Sequence, residues 1–197
     1  TLTGVAEPGS KLTISFDGST KTFSLAQPVG EDGTWQLPVS LANGTWTPLV
    51  KVTDVAGNTL TTPFAGDAFT IDTVAPTATG SLASGSDTGV SDSDGFTSNP
   101  IPTLTGQTEP GAMLSVVVGA QTLDAFVDPD TGEWSVDLTD NLPDGTYTPL
   151  FKATDEFGNL STPIKGTAFT IDTKAPQFLG QIDQTYKVGD AVALSLP

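Results

Sequence analysis

The chain has 197 residues, of which 23 are Asp or Glu and 7 are Lys, for a net charge of −16; it contains no Arg, His or Cys. Phosphate binding needs clustered cations, so this composition excludes nucleic acid as a partner. Without Cys and His there are no disulfides and no preferred ligands for zinc or copper, and no apolar run is long enough to insert into a membrane.

In chain order, the first 74 residues return later with an offset that drifts from 102 to 100 residues. Thr1-Leu2-Thr3-Gly4 matches Thr103-Leu104-Thr105-Gly106, and Glu7-Pro8-Gly9 matches Glu109-Pro110-Gly111. Thr53-Asp54-Val55-Ala56-Gly57-Asn58 matches Thr154-Asp155-Glu156-Phe157-Gly158-Asn159. Phe69-Thr70-Ile71-Asp72-Thr73-Val74-Ala75-Pro76 matches Phe169-Thr170-Ile171-Asp172-Thr173-Lys174-Ala175-Pro176. A period of this length is that of a domain, not of a solenoid unit. The reading is one module over 1–74, a second over 75–174, and over 175–197 the start of a third, different β domain or a packed tail. Module one has no counterpart of the second module's lead-in, 75–102, and is expected to lack its first strand.

Module two shows the pattern of elements. Strands are predicted at 78–83, 101–108, 113–118, 121–127, 133–138, 146–154 and 167–173, where β-branched and aromatic residues alternate with polar ones. Glu109-Pro110-Gly111, Asp128 to Gly132, Leu142 to Gly145 and Asp155 to Asn159 are turns between them. The polar, acidic stretch 84–99 is a loop longer than a strand connection needs. Nothing in the chain has helical period. Seven short strands around a conspicuous Trp argue an all-β chain of tandem immunoglobulin-like sandwiches set end to end. In 175–197, Tyr186 to Val192 reads as strand, turn and strand.

The acidic residues follow from that topology. In an up-and-down order, Glu109 and Asp155 fall at the upstream pole of module two, while Asp87, Asp92, Asp94 and Asp172 fall at its downstream pole. Asp72 ends module one, so the first junction would gather Asp72, Glu109 and Asp155. Calcium takes six to eight oxygen ligands in flexible geometry and suits such a cluster better than magnesium does. Turn or strand-end chemistry is the competing account of each residue singly; their convergence favours calcium. Asp128 to Gly132 resembles the start of a calcium loop, but Thr139 stands where the bidentate Glu would be, so it reads as a hairpin turn. Trp35, Trp46 and Trp134 occur at repeat positions and read as core.

Taken together, Thr-Leu-Thr-Gly-x-x-Glu-Pro-Gly, Gly-x-Trp, Asp-Gly-Thr-Tyr, Thr-Asp-x-x-Gly-Asn and Phe-Thr-Ile-Asp-Thr-x-Ala-Pro resemble the bacterial Ig-like extender repeats of large type I-secreted (RTX, biofilm-associated) adhesins, across about residues 1–176. The resemblance implies a secreted, surface-held, non-catalytic and monomeric spacer, whose partners are the neighbouring Ig-like domains of its own chain. It also implies calcium at Asp72 and Asp172, at Glu109 and Asp155, and at Asp87 and Asp94 in the lead-in. A sandwich used to bind carbohydrate or protein is the alternative, with Phe126 and Phe157 as its module-specific aromatics. Catalysis would need a Ser–Lys pair or a carboxylate dyad, since no other nucleophile–base pair can be built.

Overall fold

The computed structural model describes residues 1–177, all strand, turn and loop. Tyr186 to Val192 therefore lies outside the described residues.

Module one holds β1 (Leu2–Val5), β2 (Lys11–Phe16), β3 (Thr22–Ser24), β4 (Thr34–Leu37), β5 (Gly44–Trp46), β6 (Pro48–Thr53), β7 (Phe64–Ala65) and β8 (Phe69–Ile71). Module two holds β9 (Ala78–Leu82), β10 (Phe96–Thr97), β11 (Thr103–Thr108), β12 (Met113–Val118), β13 (Gln121–Val127), β14 (Glu133–Asp137), β15 (Gly145–Tyr147), β16 (Leu150–Thr154), β17 (Ile164–Lys165) and β18 (Phe169–Ile171).

In module two one sheet runs β17-β16-β12-β13-β14-β11-β9, and a second runs β10-β18-β15. The long sheet folds over on itself because β13 changes partner. Its residues 121–125 pair with β12, whereas Phe126 and Val127 pair with β14. The two ends of this sheet then approach one another, and the Thr167 N–H donates to the Gly80 carbonyl at 2.9 Å. Strand alternation turns Leu104, Leu114, Val116, Trp134, Phe151, Phe169 and Ile171 into the shared interior. Trp134 is only 2 % exposed, meets Phe151 edge to face at 5.1 Å, and donates its Nε1–H to the Thr79 carbonyl at 3.0 Å.

Two departures from the sequence reading have simple causes. The strand expected over 146–154 is two strands, because Thr148-Pro149 interrupts it. Proline has no N–H for the ladder, and at this break the chain passes from pairing with β18 to pairing with β12. The lead-in loop also contributes β10, which runs parallel to β18. Two-residue strands of this kind leave no period to read.

Module one repeats the design with fewer connections: β1 with β4, the four strands β3-β2-β6-β7, and β5 with β8. By repeat position, β1 corresponds to β11. Where β11 is paired on both sides, by β14 and by β9, β1 is paired by β4 alone among the described residues.

Candidate functional site

The repeated Thr-Asp-x-x-Gly-Asn turns are built alike. Asp155 is 4 % exposed. Its Oδ1 accepts the N–H groups of Phe157 at 2.9 Å and Asn159 at 2.8 Å, and its Oδ2 accepts the Asn159 side-chain amide at 2.8 Å. Desolvation pushes its pKa up, but the hydrogen bonds from Asn159, Phe157 and Gly158 together outweigh it and hold the carboxyl below its ordinary value. Asp54 repeats the geometry with Ala56 and Asn58, and the Asn58 amide is the main cause of its lowered pKa. Both turns use a Gly at positive φ, Gly57 at 88° and Gly158 at 85°, a region that side chains rarely adopt.

The second turn does more than the first. Asn159 Nδ2 also reaches the Asp72 carbonyl at 3.2 Å, across 87 positions of sequence. One amide group thus bridges the end of module one and the upstream pole of module two. The Asp72 carboxylate is half-buried. Its Oδ1 accepts Asn43 Nδ2 at 3.2 Å and the Val74 N–H at 2.9 Å, and its Oδ2 accepts no hydrogen bond among the described residues. Oxygens from two modules therefore converge on one –NH₂ group. Such all-oxygen donors are what a hard cation such as calcium takes.

The remaining expected residues are arranged differently. Glu109 is exposed in its turn, where its carbonyl accepts the Ala112 N–H at 3.1 Å. In the lead-in, Asp87 is 7 % exposed; its Oδ2 accepts the Gly95 N–H at 2.9 Å, and its Oδ1 is buried without a partner. Asp92 and Asp94 are exposed, and Asp94 Oδ1 accepts the Phe96 N–H at 3.0 Å. Asp172 is exposed and accepts the Lys174 N–H at 3.0 Å. Among the described residues no three carboxylates are grouped closely enough to hold a metal ion by themselves. Of the first-junction trio, Asp72 and Asp155 share the partner Asn159, while Glu109 has no side-chain hydrogen bond there. Asp128 accepts the N–H groups of Asp130 and Thr131, both at 2.9 Å, which is the expected hairpin turn.

Sequence reasoning passed over three residues. In the sequence Asn159 reads as the last residue of the Asp155 turn. Asp144, given to a turn, ties down the second exit: it accepts the Thr173 N–H at 3.0 Å and Thr173 Oγ1 at 2.8 Å, and pairs with Lys174 Nζ at 2.9 Å. Its pKa falls to about 2, chiefly through Lys174 and then Thr173. Asn43 holds the same repeat position in module one, and that recurrence was the available signal.

The profile of the bacterial Ig-like domain family (Big_13) matches residues 1–73 and again residues 74–173. Solved structures with a similar chain path include the fibronectin(III)-like modules of Clostridium thermocellum CbhA, 13 % identical with a TM-score of 0.35, over 88 % of this chain and 84 % of that one. A biofilm-associated protein BSP domain is 15 % identical with a TM-score of 0.32, over 88 % of this chain but 27 % of that one. The D00-D0 domain of intimin is 12 % identical with a TM-score of 0.31, over 82 % and 78 %. No curated protein matches the chain.

Proposed function

Because the chain belongs to the bacterial Ig-like domain family, we propose that it is a non-catalytic spacer of a large bacterial adhesin, secreted and held at the cell surface, in which calcium stiffens the junction between modules. The observation that carries the reading is the Asn159 bridge, which draws the Asp72 carbonyl and the Asp155 carboxylate onto one group. In a chain of net charge −16, carboxylates brought together at a junction repel one another. A divalent cation there would relieve that repulsion and join the two modules. Asp72 and Asp155 would supply charge, and backbone carbonyls such as that of Asp72 the neutral ligands. Asp87, with an unpartnered buried oxygen, is the corresponding candidate in the lead-in, with Asp92 and Asp94 beside it in sequence. Glu109 and Asp172 complete the proposed set at the two poles.

Thermal unfolding in EDTA and across a calcium titration to about 10 mM tests this. For extracellular-type affinities of roughly 10⁻⁴–10⁻³ M, mass action gives roughly 1.4–2.7 kcal/mol per site at that concentration. A melting temperature that rises with calcium and not with magnesium is the expected result. A melt unchanged by calcium would leave these carboxylates as turn and surface chemistry and sink the proposal.

A further inference from the structure

The outward face of β13, β12 and β16 in module two carries an apolar row. Met113 (70 %), Phe126 (71 %) and Leu160 (62 %) are all well exposed. Met113 stands opposite Thr154 of β16, and Thr154 bridges in turn to Leu160. On the other side, Phe126 lies one step beyond the Leu114–Ala125 pair, where β13 leaves β12 for β14. Strand alternation turns these side chains out, because their sequence neighbours Leu114, Ala125 and Ala153 face the core. The fold does not require the row to be apolar. In module one the same positions hold Lys11, Ala26, Thr53 and Thr59, and the hydroxyls of Thr53 and Thr59 are hydrogen-bonded at 2.9 Å. A strip of exposed apolar side chains that a second copy of the same fold does without marks a contact surface.

The next outward row decides what that surface meets. Ser115 of β12 has Asp124 of β13 on one side and Lys152 of β16 on the other. Both charges are exposed, and among the described residues neither belongs to an ion pair within the chain. They sit one strand either side of β12, about 10 Å apart by strand spacing. A two-fold axis lying between two copies and parallel to β12 lays this face on itself. Asp124 then faces Lys152 of the partner subunit, and Lys152 faces Asp124 of the partner subunit. Met113 meets its own copy near the axis, and Phe126 covers the Leu160 side of the other row. An axis across the strands at this row would instead set Asp124 on Asp124 and Lys152 on Lys152, and like charges so placed repel. Module one has Ser24, Thr13 and Lys51 in this row and so has no acid to complete the pattern.

We propose that the outward face of β13, β12 and β16 is a self-association surface whose partner is a second copy of this chain, docked two-fold with the strands of both copies running in the same direction. Such a contact is isologous, so each group acts twice: two acid–base pairs flank one shared apolar strip. The face is three strands wide, which makes the contact smaller than a standard interface and transient for a single pair. It gains strength where copies are held close together. The common direction suits copies anchored side by side on one surface, as the proposed spacer would be, but the contact itself uses no calcium. A sugar stacked on Phe126 is the competing occupant. It fits less well, because Phe126 is the one aromatic ring in the row.

The test uses the full 197-residue chain in EDTA, at about 0.15 M salt so that repulsion between acidic chains is screened beyond about 8 Å. Sedimentation velocity and NMR follow it from about 10 μM to about 1 mM, the range that populates a small, transient interface. The expected result is a sedimentation coefficient that rises with concentration, with NMR shifts that track it at the outward residues of β12, β13 and β16 and at Leu160. Met113→Lys, Phe126→Ala and Leu160→Thr import the residues of module one, where the same fold carries them. Combined, they are expected to weaken association at least about tenfold while leaving the melting temperature of module two in place. The charges give a sharper test. Lys152→Asp alone and Asp124→Lys alone each set like charges opposite one another, and each variant is expected to lose self-association. Mixing the two variants restores it, because every acid then meets a base. A wild-type chain that stays monomeric throughout overturns the proposal, and a sugar acting at Phe126 would give that result. So does association that survives the three apolar replacements, or a mixture of the charge variants that does not associate.

Discussion

Gly80→Ala tests whether β9 is seated as described. Gly80 does not use positive φ, so alanine meets no backbone penalty there and the substitution is purely steric. The added methyl overlaps the six-membered ring of Trp134 and crowds Phe151, and both side chains are among the most enclosed in module two. Overpacking of this kind usually costs about 1–3 kcal/mol; with two rigid rings in the way, the upper half of that range applies. For a domain of this size that is a fall in melting temperature on the order of 10–20 °C. Denaturant unfolding followed by Trp fluorescence reads it, with Trp35→Phe and Trp46→Phe as background so that only module two reports. Pairing Gly80→Ala with Trp134→Phe, followed by far-UV circular dichroism because no Trp then reports on module two, removes the obstructing ring edge, and the two costs then fall well short of additive. If Gly80→Ala leaves the transition where it was, β9 does not lie against Trp134 and Phe151, and the seating described for it is wrong.

Asn159→Ala and its repeat counterpart Asn58→Ala form a matched pair. Each removes the amide that caps its aspartate, so both lower the stability of their own module, but only Asn159→Ala also removes the bond to Asp72; residual dipolar couplings are expected to show looser coupling of the two modules for Asn159→Ala alone. The Asp144 carboxyl, with its pKa depressed to about 2, contributes stability that is fully present above the unfolded value near pH 3.9 and is lost as the pH falls through 2. Lys174→Gln takes away the largest cause, so a ¹³C titration of the Asp144 carboxyl is expected to shift upward and that window to narrow; an unmoved titration would place the cause with Thr173 alone.

Much of the fold was legible because local chemistry and tertiary contacts agree. Met113 to Val118 and Gln121 to Val127 are strands with the bounds expected from their residues. The Trp positions read as core, and Trp134 is core. What the sequence could not display were features made by distant partners. β10 exists because Thr97 and Phe96 lie beside β18, and the change of sheet at Pro149 needs two neighbours that no local pattern names. The meeting of Asp72 with the Asp155 turn followed from the order of poles, but the atom that joins them belongs to Asn159, a residue whose turn role concealed its second bond. Glu109 sat at the expected pole without a side-chain partner, because a topology fixes which end a loop occupies and not how far its side chain reaches.

The two module exits handle the same charge problem with different residues. At the second, Asp144 and Asp172 lie beside Lys174, whose ammonium sits 2.9 Å from Asp144 and whose own pKa is raised first by Asp144 and then, more weakly, by Asp172. At the first, position 43 is Asn where the repeat has Asp144, and position 74 is Val where it has Lys174. That exit has one carboxylate fewer and no built-in cation, yet Asp72 is the residue that shares Asn159 with the Asp155 carboxylate of the next module. Two acidic residues from separate modules thus meet at one junction through an amide –NH₂ group, which holds the Asp72 carbonyl and the Asp155 carboxylate, and an amide carries a dipole where Lys174 carries a full charge. The unmet demand for positive charge therefore lies at the first junction. On the proposed reading, calcium stabilisation is concentrated at Asp72 and Asp155, while the second exit, already neutralised in part by its own lysine, responds less.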